Sequence, residues 1–412
     1  MTEIETSRRI APQPWMTEPA TLAVLEALAA GGVEARFVGG AVRDALLGRL
    51  IGDIDIATPA VPERVMELLE KRGIKVVPTG LAHGTVTAIA GTPPRHFEIT
   101  TLQRDVETYG RHARVAFDAD WAADAARRDF TINAIFLAPD GMIHDPVGGL
   151  ADLRARRIRF VGDPATRIAE DVLRLLRYYR FEAWFGTGNG DPQARLACRA
   201  AAHLLPILSA ERIVQELIKL LETPDPLPVL HMMQEDGVLA IILLEAQRLD
   251  RLRQMIAIEP EADPLRRLAA LIEVDAAGAI AVAERLRFSN AWRDRLRGLA
   301  PPWAVDPRAN GRAQRRALYR LGAGRYSDIA LLLAAEGAMS GERLTELLAL
   351  ARNWIPPVFP LTGHDVTRLG IRPGEKVGKL LDAVHDWWEA GDYSADRAAC
   401  LARLKELADS TR

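Results

Sequence analysis

The sequence has few of the residues that mark a secreted, metal-stapled or membrane protein. Only two of its 412 residues are cysteines, Cys198 and Cys400, and they lack metal-ligand spacing. A disulfide framework or zinc site is therefore not indicated, and we expect two buried, inert thiols. No apolar run approaches the roughly 20 residues that cross a bilayer, and the N-terminal stretch lacks the apolar segment of a signal peptide. We expect a cytoplasmic protein with no membrane partner.

A strong net charge is also absent. The 53 basic and 55 acidic residues leave a formal charge of -2, which argues against a uniformly basic nucleic-acid binder. The charge is nevertheless unevenly distributed, because residues 285–325 contain eleven arginines against two aspartates, a net +9. This window either follows a phosphate backbone or forms solvated helix faces. The candidates for phosphate contact are Arg312, Arg315 and Arg316.

Strand patterns are confined to the first part of the chain. Up to about residue 162, short β-branched runs alternate with helical stretches, whereas from Pro164 onward apolar residues recur at spacings of three and four. The pattern predicts an α+β fold, in which a small mixed β-sheet with helices is followed by an all-α remainder. No internal repeat is found. The predicted strands are ARFVGG, GDIDIAT, KVVPTG, TVTAIA, HFEITT, FTINAIFLAP and MIHDPV.

Segments rich in proline and glycine divide the helical part of the chain. They are typical of turns and linkers, and the length of the chain is suited to two to four domains. The segments lie at 186–192, 223–228, 301–307 and 356–363. We therefore predict four domains, which are a head at 1–162, a neck at 163–222, a body at 223–355 and a tail at 356–412.

Two aspartates interrupt an apolar strand in the segment GDIDIAT. Because side chains alternate along a strand, Asp53 and Asp55 are expected to share one face, while Ile54 and Ile56 enter the core. Neighbouring carboxylates repel, and a divalent cation between them is the usual way to keep both ionised. Oxygen ligands with room for substrate phosphates suit Mg²⁺. Plain polar-outward alternation on a half-exposed strand would give the same pattern.

The surroundings of this pair favour chemistry. Gly39 and Gly40 follow a short apolar strand, so a flexible turn can bring backbone N–H groups close to phosphates. TVTAIA and HFEITT predict a hairpin with Glu98 on the face opposite Phe97 and Ile99. Three carboxylates beside a glycine turn suit two-metal nucleotidyl transfer, in which one ion activates the attacking hydroxyl and the other stabilises the leaving pyrophosphate.

These features belong to a set of ordered motifs. The motifs are GGAVRDALLGRLIGDIDIAT at 39–58, RRDFTINA at 127–134, DPVGGLADL at 145–153, EDVLRLLRYYRF at 170–181 and SAERIVQELIKLL at 209–221. Their order and spacing resemble the bacterial class II CCA-adding enzymes, of the tRNA nucleotidyltransferase and poly(A) polymerase family in the polymerase-beta superfamily. Beyond residue 220 the resemblance thins to a helical body, although residues 360–381 look like a tail segment of these proteins.

The resemblance implies a reaction, partners and site residues. Asp53 and Asp55 would bind catalytic Mg²⁺ ions, and Glu98 would be the assisting carboxylate. CTP and ATP would be the substrates, and C, C and A would be added in turn to the 3′ end of tRNA, whose acceptor arm the helical part would grip. The residues implied in nucleotide binding are Gly39, Gly40, Arg43, Arg127, Arg128, Asp129, Asn133, Asp171, Arg174, Arg177 and Arg180.

The residue types in RRD suit a nucleotide triphosphate. The chain has only six lysines, so arginine has to meet most of the phosphate charge, and its planar fork grips phosphate oxygens bidentately. By the resemblance, Arg127 and Arg128 would hold the triphosphate. Asp129 can accept a hydrogen bond from a ribose hydroxyl, which would favour ribonucleotides. A surface ion pair at a strand entrance is the alternative interpretation of RRD.

The segment EDVLR suggests how a base is chosen. On one helix, Asp171 and Arg174 would share a face, and Glu170 would brace Arg174 from four positions back. One acceptor would then lie beside one donor, which matches the amine and bare ring nitrogen of cytosine or adenine but not the reversed order of uracil and guanine. Such a pair would need no nucleic-acid template. An intrahelical salt bridge on a solvated face is the alternative.

Two further segments concern motion. In DPVGGLADL, Pro146 fixes one backbone angle while Gly148 and Gly149 free the next, so the segment is predicted to be a hinge between head and neck, or else an ordinary turn. The stretch from 105 to 124 matches the family pattern least well. By the resemblance it occupies the loop that controls the switch from C to A, with Arg104 and Asp105 as candidates.

Other functions share parts of this pattern. A poly(A) polymerase has the same head, but PTGLAHGTVTA at 78–88 and a final stretch that is not basic look like the CCA-adding side. Addition of CC alone or of A alone stays open. His-Asp dipeptides at 144–145, 364–365 and 385–386 suggest a metal-dependent phosphohydrolase, which would need more ligands converging from several helices. A non-catalytic RNA-binding relative is expected to lose an acid of the D-x-D, and this chain has both.

Overall fold

Strands and helices are segregated along the chain, as the sequence predicts. The structure, a computed structural model, describes residues 9–109, 112–117 and 119–410. The chain forms two compact units, 1–246 and 247–412. Among the described residues, every strand lies in the first unit, before residue 145, and helices follow. The α+β fold is therefore confirmed, while the division into four domains remains a prediction.

The first unit is built on a seven-stranded mixed sheet. Its strand order is β3-β4-β5-β2-β1-β8-β9, and β6 and β7 form a separate hairpin. The pair β2–β5 is parallel, whereas the other neighbouring pairs are antiparallel. The strands are β1 Arg36–Val38, β2 Ile54–Thr58, β3 Lys75–Gly80, β4 Thr85–Ala90, β5 Arg95–Thr101, β6 Gln103–Tyr109, β7 His112–Phe117, β8 Phe136–Leu137 and β9 Ile143–His144.

The hairpin predicted for TVTAIA and HFEITT is present as β4 and β5. Val86, Phe97 and Ile99 are almost completely buried, because alternate side chains of both strands enter the core. The strand predicted over FTINAIFLAP is largely wrong. Residues 131–133 form a 3-10 turn instead, and only two residues of the segment, in β8, join the sheet.

Side-chain hydrogen bonds explain this turn. The Thr131 hydroxyl donates to Asp152 at 2.6 Å, and the Asn133 amide donates to Asp129 at 3.1 Å. Asp129 lies four residues before Asn133, whereas Asp152 is 21 residues away from Thr131, and both bonds hold the side chains of the segment against carboxylates. The turn is thereby fixed beside the sheet.

Several helices of the chain begin in the same way. Asp163, Asp191 and Asp263 each accept hydrogen bonds from backbone N–H groups in the first turn, and a proline follows each of them at the first helical position. The helices of the first unit are α1 Pro14–Thr17, α2 Pro19–Ala30, α3 Gly40–Leu46, α4 Pro62–Glu70, α5 Trp121–Ala126, α6 Gly149–Arg154, α7 Pro164–Glu170, α8 Leu173–Phe185, α9 Pro192–Ala201, α10 Ala210–Leu221, α11 Leu227–Glu235 and α12 Val238–Ile242.

The regular structure of the second unit consists of helices joined by loops in its described residues. One of its cores packs Val384 and Trp388 against Cys400 and Leu404. Both cysteines of the chain are free and buried, as predicted. No described helix combines the length and apolarity needed to span a membrane. The helices are α13 Leu249–Ile258, α14 Pro264–Leu271, α15 Ala276–Arg285, α16 Asn290–Leu299, α17 Gly311–Leu321, α18 Ala323–Ala335, α19 Gly341–Asn353, α20 Gly363–Thr367, α21 Glu375–Ala390 and α22 Arg397–Ser410.

Candidate functional site

Two of the three predicted carboxylates lie side by side in the sheet. In the parallel pair β2–β5, Asp55 is the register partner of Glu98. Ile54 and Ile56 are fully buried on either side of Asp55, so the carboxylate lies on the opposite face. Asp53 is exposed and precedes β2 by one residue. Asp53, Asp55 and Glu98 are called the head carboxylates below.

The head carboxylates carry negative charge that is not fully compensated. Burial is the main cause that raises the pKa of Asp55 from 3.8 to about 6. The charges of Glu98 and Asp53 act in the same direction, whereas those of Arg128 and Arg43 oppose the shift. A buried carboxylate among like charges favours a bound cation, and an all-oxygen donor set fits a hard divalent ion. The donor types of the three side chains therefore suit a divalent metal.

The glycine turn approaches this site closely. Gly39 has a φ of +72°, in the left-handed region that favours glycine, and a Cβ there would lie 3.1 Å from Oδ2 of Asp55. Gly40 begins α3, where Arg43 is almost completely buried. The guanidinium of Arg43 lies 3.9 Å from the ring centroid of Phe185. A side chain at position 39 would thus crowd the Asp55 carboxylate.

The arginines of RRD share one buried acid that the sequence analysis did not single out. Asp124, in α5, has a side chain that is 1% exposed. It accepts hydrogen bonds from Nε of Arg127 at 2.9 Å and from Nη2 of Arg128 at 2.8 Å. The backbone N–H of Gln103, at the start of β6, also donates to it. Asp124 precedes Arg127 by three residues and Arg128 by four, and this spacing could have predicted the two ion pairs from the sequence.

A chain of hydrogen bonds connects α3, the RRD segment and α8. Arg43 Nη1 donates to Asn133 Oδ1 at 2.9 Å, and Asn133 Nδ2 donates to Asp129 Oδ1 at 3.1 Å. Arg177 donates to Asp129 Oδ2 through Nε at 2.8 Å. Burial opposes ionisation of Asp129, but Arg177 and these hydrogen bonds hold its pKa below the ordinary value. Four predicted nucleotide-binding residues thus form one network.

The prediction that Asp171 and Arg174 lie on one helix is wrong. Asp171 has an extended backbone, with φ -150° and ψ 109°, between the end of α7 and the start of α8. Its carboxylate accepts from the backbone N–H of Leu173 at 3.1 Å, and such local bonds compete with helix continuation. The brace predicted for Arg174 is present, because its guanidinium pairs with Glu170.

Asp171 has a partner that the sequence analysis missed. Nη2 of Arg212, in α10, donates to both carboxylate oxygens of Asp171, at 3.0 and 2.7 Å. Arg180, in α8, pairs with Glu216 of the same helix α10 and lies 4.5 Å from the ring centroid of Phe181. Partners about forty residues apart leave no local spacing pattern that could have predicted the Asp171 pair.

The segment DPVGGLADL has clear structural contacts. Asp145 accepts from the backbone N–H groups of Gly149 and Leu150, at the start of α6. A Cβ at Gly149 would lie 2.0 Å from the carbonyl oxygen of Thr131, so close backbone packing requires glycine there. Hinge motion at this segment remains a prediction. The side chains of Arg104 and Asp105 lie outside the described residues.

The three arginines predicted to contact phosphate differ in their surroundings. Arg315 donates to Asp392 at 2.9 Å, and Arg316 donates to Glu389 at 2.9 Å, both within the second unit. Arg312, on the same helix α17, is exposed. Contact with phosphate remains a prediction for all three, but two of them already have acidic partners.

Among the described residues, no group of three potential metal ligands contains residues from two of the His-Asp dipeptides. Asp145 accepts from the first backbone N–H groups of α6, and Asp365 belongs to a capping box with Thr362 at α20. In the described part of the chain, one group of three potential metal ligands has its ligand atoms within 4.8 Å of one another, namely His385, Asp386 and Glu389 of α21. Glu389, however, is paired with Arg316 and Arg320. These three α21 residues are called the tail cluster below.

Two known protein families match segments in the first 249 residues of the chain. The family described as "Poly A polymerase head domain" matches residues 35–159. The family described as "Probable RNA and SrmB- binding site of polymerase A" matches residues 191–249. The first range contains the sheet, the head carboxylates and RRD, so the site lies within a known type of head domain.

Relatives with known activity match nearly the whole chain. The human mitochondrial CCA tRNA nucleotidyltransferase 1 is 34% identical over 397 residues, covering 90% of this chain and 87% of the relative. The CCA-adding enzyme of Geobacillus stearothermophilus is 34% identical over 402 residues, covering 93% and 96%. The crystal structure of the Bacillus stearothermophilus CCA-adding enzyme in complex with CTP matches with a TM-score of 0.80 and 30% identity, covering 97% and 99%. Motifs, fold and relatives agree that the chain belongs to the CCA-adding enzymes and is a nucleotidyltransferase.

Proposed function

We propose that the chain adds C, C and A in turn to the 3′ end of tRNA, from CTP and ATP and without a nucleic-acid template. The observation that carries the proposal is the register of β2 and β5, which sets Asp55 beside Glu98 next to the Gly39 turn. The relatives named for tRNA support tRNA as a substrate, and the similar structure solved with CTP supports CTP. The cytoplasmic location expected from the sequence stays a prediction.

The head carboxylates would hold the metal. Asp53 and Asp55 would bind two Mg²⁺ ions, with Glu98 as the assisting carboxylate. The bound ions would supply activation of the attacking hydroxyl and neutralisation of the leaving pyrophosphate. In this reaction the tRNA 3′ oxygen forms a bond to the α-phosphorus while the bond to pyrophosphate breaks, and the hydroxyl proton leaves. Arg128 and Arg43 favour the ionised form of Asp55 that a metal needs.

Arg127 and Arg128 would hold the triphosphate. Each guanidinium has five N–H donors in a planar fork, and Asp124 engages only Nε and Nη2 of each. The remaining donors can reach phosphate oxygens, and the shared carboxylate leaves the pair with a net positive charge. Asp124 thus orients both arginines while half of their combined charge stays available for the nucleotide.

Asp129 would act mainly through its neighbours. Its four acceptor positions are occupied, since Oδ1 accepts from Phe130 N and Asn133, and Oδ2 accepts twice from Arg177. Contact with a ribose hydroxyl therefore requires one of these donors to move. We assign Asp129 the role of orienting Asn133 and Arg177 beside the nucleotide.

Asp171 and Arg174 would select the base. Although they lie at a helix junction, the backbone N–H of Arg174 donates to the carbonyl of Asp171 at 2.9 Å, so the residues stay one turn apart. The carboxylate can accept from the exocyclic amine of cytosine or adenine, and the guanidinium can donate to the adjacent ring nitrogen. Uracil and guanine present the reverse order and are rejected.

The test is incorporation of labelled CTP and ATP, separately and together, into tRNA that lacks its last three nucleotides. We expect two C and one A, and loss of incorporation in the control with both Asp53→Ala and Asp55→Ala. Long A tracts on unrelated RNA would identify a poly(A) polymerase instead. Addition of C only or of A only would identify a partial enzyme, and no incorporation with Mg²⁺ would refute the proposal.

A further inference from the structure

The orientation of Asp171 is set from outside its own segment. Asp171 lies in the break between α7 and α8, where no helix fixes its side chain. Arg212 reaches it from the first turn of α10, 41 residues away along the chain, and donates to both carboxylate oxygens. The carboxylate is therefore held by an arginine that has no part in the EDVLR motif.

The Asp171–Arg212 pair is poorly suited to be a stability element. The side chains of Asp171 and Arg212 are 26% and 28% exposed. Ion pairs in contact with solvent stabilise proteins little, because water screens the charges and two side chains have to be ordered. The value of this pair thus lies in the geometry that it imposes.

The hydrogen bonds leave one acceptor position on Asp171. A carboxylate has about four such positions, two on each oxygen. Oδ1 accepts from Leu173 N and from Arg212, whereas Oδ2 accepts from Arg212 among the described residues. One position therefore remains, on Oδ2, and one acceptor is what a single exocyclic amine requires.

The second base-selecting side chain is oriented separately. Arg174 Nη1 donates to the carbonyl of Arg167 at 3.1 Å and pairs with Glu170. Glu170 and Arg167 belong to α7, whereas Arg212 belongs to α10. Acceptor and donor are thus fixed by two different helices, so the acceptor can be disturbed while the donor is left in place.

We propose that Arg212 is a positioning residue for nucleotide choice, because it holds Asp171 with one acceptor position directed at the base. The inference rests on the proposed function, in which Asp171 accepts from the amine of cytosine or adenine. Without Arg212, the carboxylate can rotate and has several vacant acceptor positions. Uracil presents a carbonyl oxygen where cytosine has its amine. A carboxylate that is free to rotate repels this oxygen less than a fixed carboxylate does, so uracil is rejected less well.

The experiment measures kcat/KM for single addition of CTP and UTP to tRNA lacking its last three nucleotides. For Arg212→Gln we expect the ratio of CTP to UTP to fall about tenfold, roughly the effect of one charge-assisted hydrogen bond. Arg212→Lys keeps the charge and should restore part of the ratio. Thermal unfolding of each variant reports that it is folded.

The matched control is Trp184→Phe. Trp184 Nε1 donates to the carbonyl of Lys219 at 3.0 Å, which connects α8 to α10 without touching Asp171. The CTP-to-UTP ratio of Trp184→Phe should equal that of the wild type, because this variant loses a contact between α8 and α10 but leaves Asp171 in place. A changed ratio in Trp184→Phe equal to that in Arg212→Gln would overturn the inference.

Asp171→Asn separates the two levels of the proposal. If Asp171→Asn changes the ratio but Arg212→Gln does not, the inference fails and base selection by Asp171 stands. If neither variant changes the ratio, base selection by Asp171 fails and the inference falls with it. A fall in the ratio in both Asp171→Asn and Arg212→Gln, with a wild-type ratio in Trp184→Phe, supports the assignment.

Discussion

The head carboxylates and the tail cluster contain similar residue types in opposite electrostatic settings. Burial, together with the charges of its acidic neighbours, raises the pKa of Asp55 to about 6. Burial also acts on Glu389, but hydrogen bonds from Arg320 and Arg316 hold its pKa below the ordinary value. The arginines near Asp55 do not offset the effects that raise its pKa, whereas the arginines paired with Glu389 do. Proximity of ligand atoms alone selects the tail cluster, whereas charge balance favours the head carboxylates as the proposed metal site.

The largest expected effect is that of Asp55→Asn. Removing a carboxylate that we propose to bind metal should lower CTP incorporation by roughly 10³-fold, because metal coordination contributes several kcal/mol to the transition state. The same variant should be more stable than the wild type in EDTA at pH 7.5, by up to about 3 kcal/mol, since it removes a buried charge whose pKa is shifted from 3.8 to about 6.

The pH dependence of this gain has a definite sign. A raised folded-state pKa contributes stability that is complete below pH 3.8 and is lost as the pH rises through about 6. The difference between Asp55→Asn and the wild type should therefore vanish near pH 4, as urea unfolding in EDTA would show. A variant less stable than the wild type at pH 7.5 would contradict the proposed charge imbalance.

Glu389→Gln should have a smaller effect, on stability. The amide keeps the shape of the side chain but leaves Arg316 and Arg320 without a buried anion, which should cost about 3 kcal/mol of unfolding free energy at pH 7. Because the pKa of Glu389 is lowered, this difference should shrink as the pH falls below 4.5. Calorimetry of Asp386→Asn, whose side chain is 66% exposed, is the control and should show little change. Equal losses in both variants would refute the pairing argument.

The smallest effect is expected for Arg312→Gln. Arg312 lies on the helix that supplies Arg316 and Arg320 to Glu389, but it is exposed. If it contacts a tRNA phosphate, its removal should reduce the slope of log affinity against log salt by about 1 and leave unfolding unchanged. Filter binding across a salt series measures the slope, with Arg312→Lys as the control that keeps it. An unchanged slope in Arg312→Gln would exclude this contact.

Local patterns predicted the parts of the site that depend on local geometry. Alternation along a strand placed Asp55 opposite buried Ile54 and Ile56, and the β4–β5 hairpin placed Glu98 on the corresponding face. Both predictions need only a period of two residues and a short turn. The order of the motifs then identified the family, which nearly full-length relatives confirm.

The failures have a common physical origin. At Asp171 a local side-chain hydrogen bond competes with the helix, and at Thr131 the side chain bonds to a carboxylate 21 residues away. Hydrophobic periodicity contains no information about either bond. Tertiary ion pairs were equally invisible, as for Arg212 with Asp171 and Arg316 with Glu389. Each charged residue could be recognised as notable, but its partner could not be predicted from its position in the sequence.

The hydrogen-bonded network from Arg43 through Asn133 and Asp129 to Arg177 has a consequence for protein engineering. It joins α3, the helix that begins at the glycine turn, to α8, the helix that follows Asp171, so these regions are not independent modules. A substitution of Arg177 made to change nucleotide choice would remove the donor that holds Asp129 Oδ2. A redesigned enzyme would therefore have to be varied at both ends of this network together, because neighbours in one network do not contribute additively.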